Sequence, residues 1–320
     1  MFLSMLAGIL WGTAELSWAE RLHVLTRSDD APRGVSLIIW QWRVPRVLAV
    51  ALIGAMLALA GVLMQSTLRN PMADPYIMGL SSGASAAAVA ALIWLPEGVV
   101  QMIGVPVISF LGAGVAFAMT LLLSVRRGHS LDPNIVILAG VAISLMFQSV
   151  TSFFLYIGDP HASRSALGWL MGSAAGADWA DIPVLVAGFG LIAVPAFRYA
   201  PSLDAMLLGD QRALALGVRV DRLRVLVFTG TVLLTGLAVS VAGIVGFVGL
   251  ILPHLARLLA GARHRVLLPL ATVLGALTLV IVDLLCRTLL APEELPLGVL
   301  MALFAAPPFI LILRRARRAV

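Results

Sequence analysis

The feature that most constrains this sequence is the length of its apolar stretches. Runs near residues 2–14, 45–68, 77–95, 99–125, 134–157, 182–198, 223–243, 245–260, 266–290 and 296–313 are interrupted by few charges. Inside a bilayer no water meets the backbone, so such segments satisfy their own N–H and C=O groups as helices. About 20 apolar residues cross the hydrocarbon layer as a helix. The runs therefore predict an all-α polytopic membrane protein with about ten transmembrane helices. Only 12% of the residues are charged, against 61% hydrophobic, too little polar surface for an ordinary soluble fold. The polar intervals are too short for a separate domain, so residues 1–320 are expected to form one membrane domain.

All 22 basic residues are arginine; the chain has no lysine. A P-loop needs a lysine on the nucleotide phosphates. This chain is therefore not expected to hydrolyse ATP, and an ATP-driven role requires a separate subunit. The single cysteine, Cys286, excludes an internal disulfide. The net charge of +6 is spread along loops with no basic stripe, which argues against nucleic acid. The first run, 2–14, is shorter than a full span and lacks the basic start of a signal peptide. It reads either as a short tilted helix or as one whose true start is not Met1.

Arginine placement orients the chain. With a cytoplasmic C-terminus (Arg314, Arg315, Arg317, Arg318), alternating spans place Arg257, Arg263, Arg265, the Arg198–Arg224 loop, Arg126, Arg127 and Arg69 on the same side. Fifteen of the 22 arginines then lie inside, and seven lie outside: Arg21, Arg27, Arg33, Arg43, Arg46, Arg164 and Arg287. That bias follows the positive-inside rule. Arg43-Val44-Pro45-Arg46 and Arg219-Val220-Asp221-Arg222 each lead into an apolar helix ending in Ala-Gly-Val/Ile. On this topology the two helices run in opposite directions, a weak inverted repeat of the kind transporters use. The glycine-led approach from Gly243 to Pro253 predicts a kinked or partly re-entrant element.

Several polar groups stand out against this background. Arg69-Asn70-Pro71-Met72-Ala73-Asp74-Pro75 reads as a rigid turn, with prolines breaking the helix and Asn70 and Asp74 capping backbone groups. Gly79-Leu80-Ser81-Ser82-Gly83 contains a nucleophile-elbow pattern, but the context is helical and no histidine is placed near it. Small-residue helix packing explains it better. Asp283 and Arg287 share a helix face at i,i+4 and are expected to form an ion pair. Arg43 and Arg46, after Trp40 and Trp42, either anchor at the interface or form a basic docking patch. Leu208 to Val218 reads as a turn, a short amphipathic helix and a terminating glycine.

Together these segments resemble one family, the permeases of binding-protein-dependent ABC importers for iron-siderophores, haem and cobalamin. The match is carried by Trp42–Arg46, Ala60–Gln65, Arg69–Pro75, Gly79–Ala84, Leu208–Gly217, Gly246–His254, Glu294–Val299 and Ala306–Phe309, in order along nearly the whole chain. The resemblance implies a homodimer with a second copy of this chain in membrane lipid. It also implies two cytoplasmic ATP-binding subunits, a periplasmic substrate-binding protein and location in the bacterial inner membrane. By the same resemblance, Arg43, Arg46 and Arg287 dock the binding protein. Asn70, Met72 and Asn134 belong to a cytoplasmic gate. Gly209, Asp210, Gln211, Arg212, Leu216 and Gly217, within a segment spanning about 203–218, meet the ATPase. Met72 stands where the family more often has leucine.

The expected function is import of an iron chelate, ferric siderophore or haem, by alternating access, with cobalamin as the alternative cargo. No covalent chemistry, catalytic residue, metal site or cofactor is expected. An ion-coupled secondary transporter is the competing class. It needs a midplane ion site, and the sequence offers no second carboxylate there beside Asp283.

Overall fold

A computed structural model describes residues 1–14, 16–18, 20, 33–124 and 132–317. Among these, regular structure is entirely helical. Of the arginines that orient the chain, Arg21, Arg27, Arg126, Arg127 and Arg318 lie outside the described residues. The helices are α1 (Phe2–Leu10), α2 (Arg33–Leu37), α3 (Val44–Leu68), α4 (Leu80–Trp94), α5 (Glu97–Ile103), α6 (Val105–Ser124), α7 (Pro133–Ile157) and α8 (Pro160–Leu170). After them come α9 (Asp181–Arg198), α10 (Ala200–Leu207), α11 (Asp210–Ala215), α12 (Val220–Ala242), α13 (Val248–Ala260), α14 (His264–Thr288) and α15 (Leu297–Arg317). A π-helical turn, Ile38–Arg43, joins α2 to α3, and a 3-10 turn, Pro75–Met78, precedes α4.

Each apolar run falls on helix. Six helices among the described residues are long and apolar enough to cross a membrane: Gly34–Leu68, Val105–Ser124, Pro133–Ile157, Asp181–Arg198, Val220–Ala242 and His264–Thr288. Leu80–Trp94, Val248–Ala260 and Leu297–Ile310 are apolar but shorter.

The core is α3. It is apolar on every face, and such a helix belongs inside a bundle. Nearly all of its 25 residues are buried, against α12, α13 and α14. Glycine makes this possible, because without hydrophobic drive membrane helices depend on close backbone contact. A Cβ at Gly54 would lie 2.3 Å from the Gly275 carbonyl oxygen, and one at Gly61 only 2.0 Å from that of Gly249. Farther out, α4 and α6 meet in the same way at Gly83 and Gly112. The outer helices α6, α7 and α9 expose Leu122, Leu138, Leu191 and Val194, as a lipid-facing layer should.

The two helices compared in the sequence end differently: α3 continues past Ala60-Gly61-Val62 to Leu68, whereas α12 stops at Ala242 before Gly243. Helix α3 ends at Arg69 in the left-handed region, and α4 begins after Gly79, also left-handed. Helix α12 ends at Gly243 with positive φ, and α13 begins after left-handed Phe247. The two linkers meet inside the molecule, where Tyr76 Oη donates to the Val245 carbonyl at 3.2 Å. The end of α3 lies beside the start of α12, because Arg69 and Arg224 share Asp210. The two helices therefore run antiparallel. The glycine-led stretch 243–247 is unwound, and the short α13 that follows carries Pro253 inside it.

Candidate functional site

Polar residues gather at the two ends of the bundle, which are named here by Arg46 and Arg69. At the Arg46 end, three guanidinium groups and two carboxylates sit together. Arg46 donates through Nε to Asp283 Oδ1 at 3.0 Å and through Nη1 to Glu294 Oε1 at 2.9 Å. Arg287 lies 3.0 Å from Asp283 Oδ2, which is the ion pair expected from the i,i+4 spacing. Arg43 and one nitrogen of Arg287 turn to α1. Helix termini leave their last carbonyls unpaired and carry partial negative charge. Arg43 donates to the carbonyls of Ile9, Leu10 and Ala14, and Arg287 to those of Gly8 and Trp11. The C-terminal end of α1 is thus capped by side chains from α14 and the π-helical turn. Gly12 allows this approach, since a Cβ there would stand 3.0 Å from Arg43 Nε.

Arg43, Arg46 and Arg287 are 5%, 8% and 3% exposed. They reach the surface through a cavity of about 270 Å³ lined by Gly12, Trp42, Arg43, Arg46, Arg287 and Glu294.

At the Arg69 end, the turn after α3 is rigid. Asn70 Oδ1 accepts from the Met72 N–H at 2.9 Å, and Asp74 Oδ1 caps the 3-10 turn by accepting from the Tyr76 N–H at 2.8 Å. Burial pushes the Asp74 carboxyl up from 3.8 to about 6. Asn134 lies in the first turn of α7, capped by Asp132 at 2.8 Å. Helix α7 packs on the 3-10 turn, where Gly140 lets the Ile77 carbonyl approach.

Helix α11 is the short helix expected between Gly209 and Gly217. Both glycines have left-handed φ, 103° and 82°, which a side chain at either position would resist. Asp210, its first residue, accepts from Arg224 Nη2 at 3.1 and 3.0 Å and pairs with Arg69 at 3.3 Å. Gln211, Arg212, Leu214, Leu216 and Gly217 are exposed, and with Leu207 and Leu208 they form an apolar patch beside polar groups.

Between the two ends, a cavity of about 360 Å³ is lined by Ser81, Ser85, Ser144, Gln148, Thr151 and Ser152 with a few apolar residues. Hydroxyl and amide groups within spanning helices are costly against lipid and belong on a protein or water face. Among the described residues no group of three or more His, Cys, Asp or Glu is placed to hold a metal.

A family profile described as the FecCD transport family matches residues 1–315. The chain belongs to the FecCD transport family. It is 38% identical to the cobalamin import system permease protein BtuC of Halobacterium salinarum, over 96% of this chain and 80% of that one. It is 39% identical to the Fe(3+) dicitrate transport system permease protein FecD of Escherichia coli, over 88% and 86%. To the Fe(3+)-citrate import system permease protein YfmE of Bacillus subtilis it is 37% identical, over 91% and 86%. A solved structure described as an inward-facing conformation of a metal-chelate type ABC transporter superposes with a TM-score of 0.85. That structure is 30% identical and covers 98% of this chain and 96% of its own. The chain is thus a multi-pass permease of the ABC importer type.

In this FecCD permease, sequence reasoning missed partners more than positions. Glu294 was legible only as the start of a matched segment, Glu294–Val299, yet it holds Arg46. His264 is not near Ser81; it contacts Ser66 on α3 and Asp204 on α10. Gln65, buried in α3, donates to the carbonyls of Gly249 and Leu250 across the core. A buried polar side chain in an apolar helix was the available signal for Gln65 and Ser66, but nothing local named their partners.

Proposed function

We propose that this permease imports an iron chelate, ferric siderophore or ferric hydroxycarboxylate in type, as half of a homodimer in the bacterial inner membrane. The Arg69 end and the C-terminus face the cytoplasm, and the Arg46 end faces a periplasmic binding protein. Two ATP-binding subunits, separate from this lysine-free chain, supply the energy. Haem falls in the same chelate class, and cobalamin is the second reading, favoured by the BtuC relative.

The observation that carries this reading is the arrangement around α11. A short helix between two left-handed glycines projects apolar side chains outward, while its Asp210 grips both the end of α3 and the start of α12. A partner seated on Leu208, Leu214 and Leu216 pulls on the two antiparallel central helices at once. Such a pull tilts them relative to their neighbours and opens one end while closing the other, which is alternating access by rigid-body movement. The Asn70–Met72 turn and Asn134, at the same end, form the cytoplasmic gate.

At the other end, Arg43, Arg46 and Arg287 line a cavity that opens at the surface, a basic cluster suited to an acidic docking partner. The hydroxyl-lined cavity suits an oxygen-rich cargo, held by hydrogen bonds weak enough to release it. Two of the relatives named above carry ferric citrate in their names, and the superposing structure is described as of metal-chelate type.

The test is reconstitution in liposomes with the cognate ATPase and binding protein, using iron-55 citrate, a labelled ferric siderophore, haem and cobalt-57 cyanocobalamin as probes. ATP-dependent uptake of a ferric probe is expected. Uptake of cobalamin alone selects the second reading, and uptake driven by a proton gradient without ATP overturns both.

A further inference from the structure

Three residues from three helices meet beside the coupling segment in a way that nothing above uses. His264, the first residue of α14, is fully buried. Its Nδ1 lies 2.6 Å from Asp204 Oδ1 on α10, and its backbone N–H donates to the same oxygen at 3.0 Å. Its Nε2 lies 2.5 Å from Ser66 Oγ, in the last turn of α3. A carboxylate only accepts, so Nδ1 carries the hydrogen on the Asp204 side. The imidazole therefore bridges the coupling segment and the central helix, with a hydrogen-bonding partner on each nitrogen.

The constellation has the residue types of a hydrolytic triad, but it is not one. Ser66 is 1% exposed, and its hydroxyl stands between Nε2 and the Val62 carbonyl, which is 2.7 Å away in its own helix. With the imidazole hydrogen on Nδ1, Nε2 accepts and the Ser66 hydroxyl donates to it. No substrate carbonyl reaches the buried hydroxyl. The geometry instead suits force transmission. Hydrogen bonds at 2.5 and 2.6 Å on a fully buried imidazole resist separation, since breaking either strands a ring nitrogen away from water. Ser66 is four residues before Asn70, and Asp204 is six residues before Asp210. The segment that carries α10 and α11 thus grips the end of α3 twice, through Asp204–His264–Ser66 and through Asp210–Arg69. Both grips end on a partly exposed carboxylate, but the first closes on a fully buried imidazole and hydroxyl.

We propose that His264 is a positioning residue that makes the coupling segment and the last turn of α3 move as one body. Displacement of the segment by the ATPase is then delivered to the Asn70–Met72 turn. This role rests on the coupling function assigned above to residues 203–218.

The bridge can be cut on either side. In His264→Asn the amide nitrogen replaces Nδ1 and keeps the Asp204 contact but loses Ser66. In His264→Gln the amide reaches toward Ser66 and leaves Asp204. Both are placed in a Met72→Cys background, since the native Cys286 is buried. The full importer is reconstituted, and two quantities are read: ATP turnover, and the rate of fluorescein-maleimide labelling at position 72 with and without ATP and vanadate.

In the parent, nucleotide is expected to change the labelling rate. Both variants are expected to keep ATP turnover within about 2-fold while the nucleotide-dependent change shrinks by about 5-fold or more, the size of an ordinary allosteric coupling. A merely structural role would lower ATP turnover and labelling response in proportion, through fewer assembled complexes, and would overturn the proposal. Ser66→Ala is run beside them because it removes one hydroxyl from a helix that tolerates alanine. It is expected to reproduce the loss, and a full labelling response in it overturns the proposal even if the His264 variants fail to assemble. No nucleotide response in the parent would remove the coupling reading and the His264 role together.

Discussion

Replacing Asp283 by leucine tests the energetic account of the Arg46 end. Asp283 is 1% exposed and sits between two guanidinium groups, 2.9 Å from Arg46 and 3.0 Å from Arg287. Removing one partner of a buried ion pair strands the other and costs about 3–5 kcal/mol. The two arginines are not equally exposed to that loss. Arg46 keeps Glu294 at 2.9 Å, whereas among the described residues Arg287 retains the α1 carbonyls of Gly8 and Trp11. Most of the penalty therefore falls on Arg287. At roughly 2–4 °C per kcal/mol, the apparent Tm should fall by about 6–20 °C. Adding Arg287→Met removes the stranded charge. It also uncaps two carbonyls at the end of α1, at about 1 kcal/mol each, so part of the loss should return. The assay is thermal unfolding of detergent-purified protein followed by tryptophan fluorescence. A double variant less stable than Asp283→Leu would refute the stranded-charge reasoning, and so would a single variant that melts with the parent.

Other consequences are as direct. Gly61→Ala brings a Cβ to 2.0 Å from the Gly249 carbonyl oxygen, and since both sides are backbone, α3 and α13 must part. Monodisperse protein recovered from membranes should drop severely, while Gly190→Ala, where a Cβ meets open space, should be recovered as wild type. Asp210→Ala takes the carboxylate from buried Arg224 and from Arg69. Stability should fall by about 2 kcal/mol, and ATP-driven uptake should fall further than ATPase association measured by pull-down. Asp74 gives a pH signature. Its folded pKa of about 6 lies above the ordinary 3.8, so the folded state favours the protonated form and loses stability as pH rises between those values. Asp74→Asn keeps an acceptor for the Tyr76 N–H, so it should melt above wild type at pH 7, with the gap closing toward pH 4.

Some of this was legible before any coordinates. The apolar runs determine that the chain is a helical membrane protein, because a bilayer leaves the backbone no other partner. The turn residues mark the breaks: Gly209 and Gly217 bound a short helix, Asn70 and Asp74 cap a rigid turn, and the glycines after Ala242 end α12. The spacing of Asp283 and Arg287 determines that they meet, since one helical turn separates them. The absence of lysine removes a nucleotide site of the P-loop type.

What only the tertiary structure decided is who meets whom across the sequence. Arg43 and Arg287 cap α1 from more than 30 and 270 residues away, and Arg46 shares Asp283 and Glu294 across 237 and 248. His264 finds Ser66 across 198 residues and Asp204 across 60. Helical periodicity gives each residue a direction on its own helix and nothing about the neighbouring one. The neighbours are chosen by the glycine contacts that let α3 approach α13 and α14. Those contacts depend on the backbones coming together, and no single segment of sequence records that.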